Sequence, residues 1–122
     1  MNNKKYVIGV DIGNTKTSYA LTKSDGTVMQ FYKGPGANYQ AIGKEEMVSR
    51  LAAAFDLLVK EHGISITDLA FIYYGAAGAD TPEDFRILRE EFAKAAPGVP
   101  FDFENDGWIA LHSGTCGKPG MV

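Results

Sequence analysis

A nearly continuous apolar run near the start of the chain constrains its fold more than any other feature of the sequence. Residues Tyr6–Ile12 are apolar except for Gly9 and Asp11, and several of them are β-branched. A run of this kind is typical of a strand that is buried on both faces. We therefore predict a central strand here, in the interior of a sheet.

Two more strands follow closely in the sequence. Residues Thr17–Thr22 have the composition of a second strand. The Asp25-Gly26 pair that comes next is a strong hairpin signal, and Val28–Tyr32 would be the returning antiparallel strand. The chain is thus expected to open as a three-stranded meander.

The apolar spacing then becomes helical. A first helix is predicted after Gly43, and His62-Gly63 supplies its end. A second helix begins at Thr81, where a hydroxyl cap, a proline and two acids form a typical helix start. The buried stripes of these helices are predicted at Met47, Val48, Leu51, Phe55, Leu58 and Val59, and at Phe85, Leu88 and Phe92.

The second half of the chain alternates between strands and helices. Strands are predicted over Leu69–Tyr74 and Val99–Phe103, and a third helix begins at Asn105. The complete order is β-β-β-α-β-α-β-α, which implies an α/β fold with a five-stranded mixed sheet and helices on its faces. The last crossovers should be right-handed and lead to parallel strands.

Composition limits the class of protein. The chain has 122 residues, which suits one domain, and a formal net charge of −3, which argues against a nucleic-acid partner. No apolar stretch is long enough to span a bilayer, and the N-terminus lacks the pattern of a signal peptide. The single Cys116 cannot form an intrachain disulfide. These features predict a cytoplasmic protein with no membrane association.

The turn between the first two strands is the first candidate binding site. It reads Asp11-Ile12-Gly13-Asn14-Thr15-Lys16-Thr17. Glycine lets the backbone approach a bound group, and consecutive turn amides can hold a phosphate oxygen. Thr15 and Thr17 add hydroxyl donors, Lys16 adds a positive charge, and Asp11 could hold Mg²⁺ directly or through water. A plain hairpin turn explains the same residues equally well.

The end of the fifth strand is the second candidate. It carries Glu104-Asn105-Asp106, at the strand edge where open α/β sheets place ligands. An acid here could act as a general base that takes a proton from a substrate hydroxyl. The alternative is structural, because Asn105 or Asp106 could simply cap the following helix.

Two loops complete the set of candidates. The loop Gly34–Tyr39 contains Asn38, whose carboxamide suits a sugar hydroxyl or an amide. The loop Gly75–Asp80, with Gly78, consists of small residues that leave room for a ligand. A solvated turn in the first loop and a tight turn in the second remain the alternatives.

The order of these motifs resembles the first lobe of the actin-like ATPase superfamily, a ribonuclease H-like fold. The chain has Asp-x-Gly-x-Thr-x-Thr in an opening hairpin, two βα units and an Asp at a strand–helix junction. Within the superfamily, residues 9–17, the Gly34–Asn38 loop and Glu104–Gly107 look most like the N-acetylglucosamine kinase and BadF/BcrA-type ATPase group. The resemblance covers essentially the whole chain, so residues 1–122 would form one N-terminal lobe.

The resemblance implies a kinase that uses ATP and Mg²⁺ to phosphorylate a sugar or amino sugar such as N-acetylglucosamine. Asp11 would position Mg²⁺, and Asp106 would be the catalytic base toward the sugar hydroxyl. By the same resemblance, the ATP phosphates would be contacted by Gly13, Asn14, Thr15 and Lys16, and the sugar by Asn38, Gly78 and Asp106.

Some features depart from this family pattern. Asn14 stands where the group commonly has glycine, and Asp-x-Gly-Asn-Thr also occurs in type III pantothenate kinases. A second phosphate motif and an adenosine-binding segment would lie past Val122, in a second lobe missing from this chain, which is therefore expected to be nearly inactive alone. The alternatives are a dehydratase-activating ATPase, against which the single cysteine weighs, and a non-catalytic sugar-responsive regulator. Homodimer formation is left open.

Overall fold

The computed structural model describes residues 5–76 and 78–105, and in it five strands form one mixed sheet. The strands are β1 (Tyr6–Ile12), β2 (Lys16–Lys23), β3 (Val28–Pro35), β4 (Leu69–Ala76) and β5 (Phe101–Glu104). Their order across the sheet is β3-β2-β1-β4-β5. The predicted central strand and the predicted meander are therefore confirmed.

Strand direction follows from the length of each connection. The short turns after β1 and β2 produce antiparallel pairs, whereas β1, β4 and β5 run parallel to one another. Parallel neighbours need a long crossover, and helices supply it in both cases. The carboxyl ends of β1, β4 and β5 consequently meet at one edge of the sheet, which we call the carboxyl edge.

Three α-helices accompany the sheet in the described part of the chain: α1 (Tyr39–Ile42), α2 (Lys44–Glu61) and α3 (Pro82–Ala95). A 3₁₀ turn at Ile66–Asp68 precedes β4. The helix α3 begins as predicted, with the Thr81 hydroxyl accepting a hydrogen bond from the Asp84 backbone N–H at 3.1 Å. The short α1 was not predicted, because its signal is a single capping side chain.

The helices α2 and α3 both pack on the face of the sheet that carries Tyr19 and Tyr74. Phe55 of α2 meets the Tyr19 ring edge-on at 6.0 Å, and Phe92 of α3 stacks on the Tyr74 ring at 3.9 Å. Burying one large apolar side chain contributes about 1.5–3 kcal/mol, so this layer is the main source of stability. Its fully buried large side chains include Ile8, Leu21, Met47, Leu51, Leu58, Ile72 and Leu88.

Two details differ from the sequence prediction. Phe85 was expected to be buried with Leu88 and Phe92, yet it is 36% exposed. It lies in the first turns of α3 and stacks on Phe103 with 5.2 Å between the ring centroids. The strand β5 begins later than Val99, because the Val99 N–H bonds back to the Ala96 carbonyl in a turn. The third helix predicted after Asn105 lies outside the described residues.

The part of the chain that the structure describes holds no helix that is both long and apolar enough to cross a membrane.

Candidate functional site

The carboxyl edge carries acidic side chains on two of its three parallel strands. Asp11 pairs with Gly75 of β4, and Gly75 pairs in turn with Glu104 of β5, so the three residues form one row across the sheet. Strands lie about 4.8 Å apart, which puts the backbones of Asp11 and Glu104 about 10 Å apart. Asp11 is half-buried and Glu104 is exposed, and the Tyr73 hydroxyl donates a hydrogen bond to Glu104.

This donor set fits Mg²⁺ as a partner of a bound phosphate. Mg²⁺ takes oxygen ligands, usually one or two carboxylates, and completes its shell with water and substrate phosphate. A metal site formed by protein ligands alone is not present in the described residues, because they contain no group of three or more His, Cys, Asp or Glu side chains that could hold a metal ion. Asp11 therefore suits a shared site and not a structural metal centre.

The hairpin turn after β1 has the exposure that a phosphate-binding loop requires. Asn14, Thr15 and Lys16 are exposed, and the Gly13 N–H donates to the Lys16 carbonyl at 3.1 Å. A Cβ on Gly13 would lie only 2.7 Å from the Lys16 carbonyl oxygen, so this turn needs glycine. The predicted contact residues Gly13, Asn14, Thr15 and Lys16 are thus adjacent and accessible.

Thr17 does not belong to this set. We expected its hydroxyl to face a ligand, but the side chain is fully buried and its Oγ1 has no hydrogen-bond partner within the described residues. Thr17 lies within β2 and pairs with Ile12, on the same face as Tyr19. The alternation of a strand turns it toward the core, away from the hairpin surface.

The glycine-rich loop after β3 packs directly on this hairpin. The Ala37 N–H donates to the Gly13 carbonyl at 3.2 Å, and the Asn38 Nδ2 donates to the Asn14 Oδ1 at 2.6 Å. A Cβ placed on Gly36 would lie 2.0 Å from the Asn14 carbonyl oxygen, closer than any side chain could come. Two motifs that the sequence suggested separately are therefore one unit.

The alternative prediction for this loop was a solvated turn, and the burial of Asn38 contradicts it. It is only 7% exposed, and its Oδ1 accepts the Gln40 N–H at 3.0 Å as the cap of α1. The backbone of Gly78, which has φ +97°, approaches from the other side, where a Cβ would lie 2.8 Å from Asn38 Oδ1. The structure thus brings Asn38 and Gly78 together, next to the hairpin.

The carboxylate of Asp84 fastens the Asn38 loop to the start of α3. It accepts hydrogen bonds from the Tyr39 hydroxyl, from Gln40 Nε2 at 3.3 Å and from the Thr81 hydroxyl at 3.0 Å. The bond from Tyr39 is the largest cause that lowers the pKa of Asp84 to about 2, and the same bond raises the pKa of Tyr39. Sequence reasoning identified Asp84 as a helix-start acid but had no signal for its contacts with residues 39 and 40.

Arg50 of α2 holds the same loop from the opposite side. Its guanidinium NH1 donates to the Gly36 carbonyl at 2.6 Å, while its Nε bonds to Glu46 at 2.9 Å. Sequence reasoning also missed Arg50, because a polar residue on a helix has no signature that names its partner. Between Arg50 and Asp84, the loop is fixed at both ends.

Replacing Asp84 with Asn is expected to lower the melting temperature by roughly 2–8 °C at neutral pH. An amide would present a donor to groups that themselves donate. Because the folded pKa of about 2 lies below the ordinary Asp value of about 3.9, this stabilisation is complete above pH 4 and is lost as the pH falls toward 2. Circular-dichroism melts from pH 7 to pH 2.5 should show the deficit shrinking below pH 4.

Asp56→Asn is the matched control for this measurement. Asp56 is an exposed helix residue whose only described ion pair is with Lys60 at 3.0 Å, so its loss should change the melting temperature little. A melting temperature for Asp84→Asn equal to that of the parent at pH 7 would show that the Asp84 carboxylate does not stabilise the contact between the Asn38 loop and α3.

Asp106, the predicted base, and Gly107 lie outside the described residues. Two positions earlier in the sequence, Glu104 ends β5 at the carboxyl edge, in the row that begins with Asp11.

Comparisons with known proteins identify sequences and structures that are similar to this chain. Residues 8–122 match the model of the BadF/BadG/BcrA/BcrD ATPase family. An N-acetylmuramic acid/N-acetylglucosamine kinase of Clostridium acetobutylicum is 31% identical, and the match covers 97% of this chain and 39% of the relative. An N-acetyl-D-glucosamine kinase of Dictyostelium discoideum is 26% identical, with 94% of this chain and 39% of the relative covered. The chain therefore spans about two fifths of the length of these relatives.

Solved structures share the fold. A ROK family glucokinase from Streptomyces griseus, in complex with glucose and AMPPNP, superposes with a TM-score of 0.60 at 21% identity, covering 92% of this chain and 37% of that one. A ROK hexokinase from Thermus thermophilus gives a TM-score of 0.60 at 22% identity, with 81% and 34% covered. The predicted α/β fold with a five-stranded mixed sheet is thereby confirmed.

Proposed function

This chain belongs to the BadF/BadG/BcrA/BcrD ATPase family, and from that membership we propose that it is the N-terminal lobe of an ATP-dependent kinase acting on an amino sugar such as N-acetylglucosamine. Both curated relatives carry N-acetylglucosamine kinase in their names, and both are more than twice as long as the matched region. A second lobe would supply the rest of the nucleotide site.

One observation carries the proposal. The exposed hairpin at Gly13–Lys16, the buried amide of Asn38 and the backbone of Gly78 meet at the carboxyl edge, within one hydrogen-bonded unit. A kinase must hold a phosphate and a hydroxyl close together and in line, because phosphoryl transfer depends mainly on positioning. A plain hairpin turn would not need a second, glycine-rich loop packed so closely on its backbone that a Cβ at Gly36 would overlap the Asn14 carbonyl.

The roles on the nucleotide side follow from residue chemistry. The backbone amides and hydroxyl of residues 14–16 would hold the ATP phosphates, and the Lys16 ammonium would add positive charge. Gly13, whose N–H is bonded to the Lys16 carbonyl, would close the turn and let a phosphate approach its backbone. Asp11 would hold Mg²⁺ at the edge of the hairpin. When bound, Mg²⁺ neutralises the charge on the phosphates.

The acceptor sugar would be bound by the Asn38 loop and the Gly78 loop. The Asn38 carboxamide keeps one Nδ2 hydrogen beyond the one given to Asn14, and this hydrogen would donate to a sugar oxygen. Gly78 would let the sugar approach the backbone, and Asp106 would take the proton of the attacking hydroxyl.

The proposal is tested by coupled ADP-release and product assays on the full-length protein with hexoses, amino sugars and pantothenate as acceptors. We expect ADP release that depends on one amino sugar, with a phosphorylated sugar as product. The 122-residue chain alone is the control, and it should give no transfer above background because half of the cleft cannot exclude water. ATP hydrolysis at the same rate with and without every acceptor would instead indicate an activating ATPase. Phosphorylation of pantothenate alone would show that the substrate is pantothenate and not an amino sugar.

A further inference from the structure

We infer that the Asn14 side chain serves the acceptor site and not the nucleotide: it orients Asn38, while the Asn14 backbone stays with the phosphate-binding hairpin. The inference rests on the proposed function. It assigns to Asn14 a role that a glycine at this position could not perform, since glycine offers the same backbone amide and no side chain. Asn14 is therefore proposed as a positioning residue for the sugar.

The cap of α1 fixes only one end of the Asn38 carboxamide, its oxygen. Its Oδ1 accepts the Gln40 N–H at 3.0 Å, which fixes the oxygen on the α1 side and turns Nδ2 toward the hairpin. The Nδ2 group can only donate, so the Asn14 side-chain atom that lies 2.6 Å from it must be the amide oxygen, Oδ1. The direction of this bond follows from the cap.

Asn14 is the only one of the described supports of Asn38 that can be removed without altering the loop that carries Asn38. Gln40 contributes a backbone N–H of the same segment, and Gly78 contributes backbone packed against Oδ1. Asn14 reaches across from another part of the chain, 24 residues away, through a side chain alone. Removing this side chain leaves the cap as the one described hydrogen bond of the Asn38 carboxamide, so the amide plane can pivot about Oδ1 while the hairpin backbone stays in place.

The two substrates are expected to respond differently to this change. An acceptor held by Asn38 depends on where Nδ2 points, so loss of the bond weakens acceptor binding. The phosphates depend on backbone amides and on residues 15 and 16, none of which the change removes. If Asn14 held nucleotide through its side chain, the opposite pattern would follow.

The experiment measures KM for both substrates in the full-length enzyme, and the Kd for the acceptor by calorimetry without ATP. For Asn14→Gly we expect the acceptor KM and Kd to rise roughly 3–10-fold, the effect of one hydrogen bond, and the ATP KM to stay within about twofold. For Asn14→Asp the carboxylate still accepts from Asn38, so the acceptor KM should stay near the parent value. The added negative charge beside the phosphates should raise the ATP KM.

A double-mutant cycle with Asn38→Ala tests whether the two residues act as one unit, in which case the second change adds little to the first. Asp25→Gly is the matched control, because it removes a side chain from the other hairpin turn, at the opposite end of the sheet. It should leave both KM values unchanged.

The outcomes separate the inference from the proposed function. A rise in the ATP KM alone for Asn14→Gly, an equal rise in both KM values, or additive effects with Asn38→Ala would each overturn the inference. A parent enzyme that transfers phosphate to no acceptor would instead remove the proposed function, on which the inference rests.

Discussion

Gly36→Ala is expected to lower kcat/KM of the full-length enzyme by about 100-fold, the loss that a displacement of roughly 1 Å can cause at a site that works by positioning. An alanine Cβ at this position would lie 2.0 Å from the Asn14 carbonyl oxygen and 2.5 Å from its carbonyl carbon. Both atoms are backbone, so no side-chain rotation can relieve the overlap. Either the hairpin or the loop must move, and in both cases the phosphate-binding turn separates from Asn38.

The measurement is steady-state kinetics with the acceptor identified in the panel, together with a thermal melt that confirms folding. Gly34→Ala is the matched control. It lies two residues earlier in the same segment, where a Cβ would meet Tyr32 at 3.4 Å, an ordinary contact distance. This variant should keep kcat/KM near the parent value. A folded Gly36→Ala enzyme with parental kcat/KM would show that the contact between loop and hairpin does not matter for transfer.

Much of the fold could be predicted because its signals are local. The period of two in the strands, the helical spacing from Met47 to Val59 and the capping residues at Thr81 each depend on a few neighbouring residues. Strand direction then follows from the lengths of the connections. Even the burial of Thr17 was foreseeable, since it shares the odd-numbered face of β2 with Tyr19 and Leu21.

The organisation of the site could not be read in the same way, because it depends on contacts between distant residues. The bond between Asn14 and Asn38 spans 24 positions, and that between Tyr39 and Asp84 spans 45. The residues next to Arg50 and Asp84 in the sequence do not indicate which distant residues these side chains hydrogen-bond to. The short α1 could not be predicted for the same reason, because its cap, Asn38, is held in place by contacts with the hairpin and with the Gly78 loop.

Asp106→Asn is expected to lower kcat by about 10²–10⁴-fold, the range for loss of a general base, while changing the acceptor KM much less. The substitution separates the two interpretations of this residue. Asparagine caps a helix about as well as aspartate, so a purely structural Asp106 would tolerate the change, whereas a carboxamide cannot take a proton from a hydroxyl. The measurement is kcat with saturating ATP and acceptor, alongside a melt that should match the parent.

Glu104→Gln is the control that tests which of the two acids is the base. Glu104 lies two positions before Asp106 in the sequence, ends β5 and already accepts a hydrogen bond from the Tyr73 hydroxyl. We expect this variant to keep most of its activity, because the Glu104 carboxylate is already engaged by the Tyr73 hydroxyl and the glutamine oxygen can still accept that bond. If Glu104→Gln loses activity and Asp106→Asn does not, the base is Glu104. If both variants remain active, proton removal does not limit the reaction, and positioning by the Asn14–Asn38 unit accounts for the catalysis that this lobe provides.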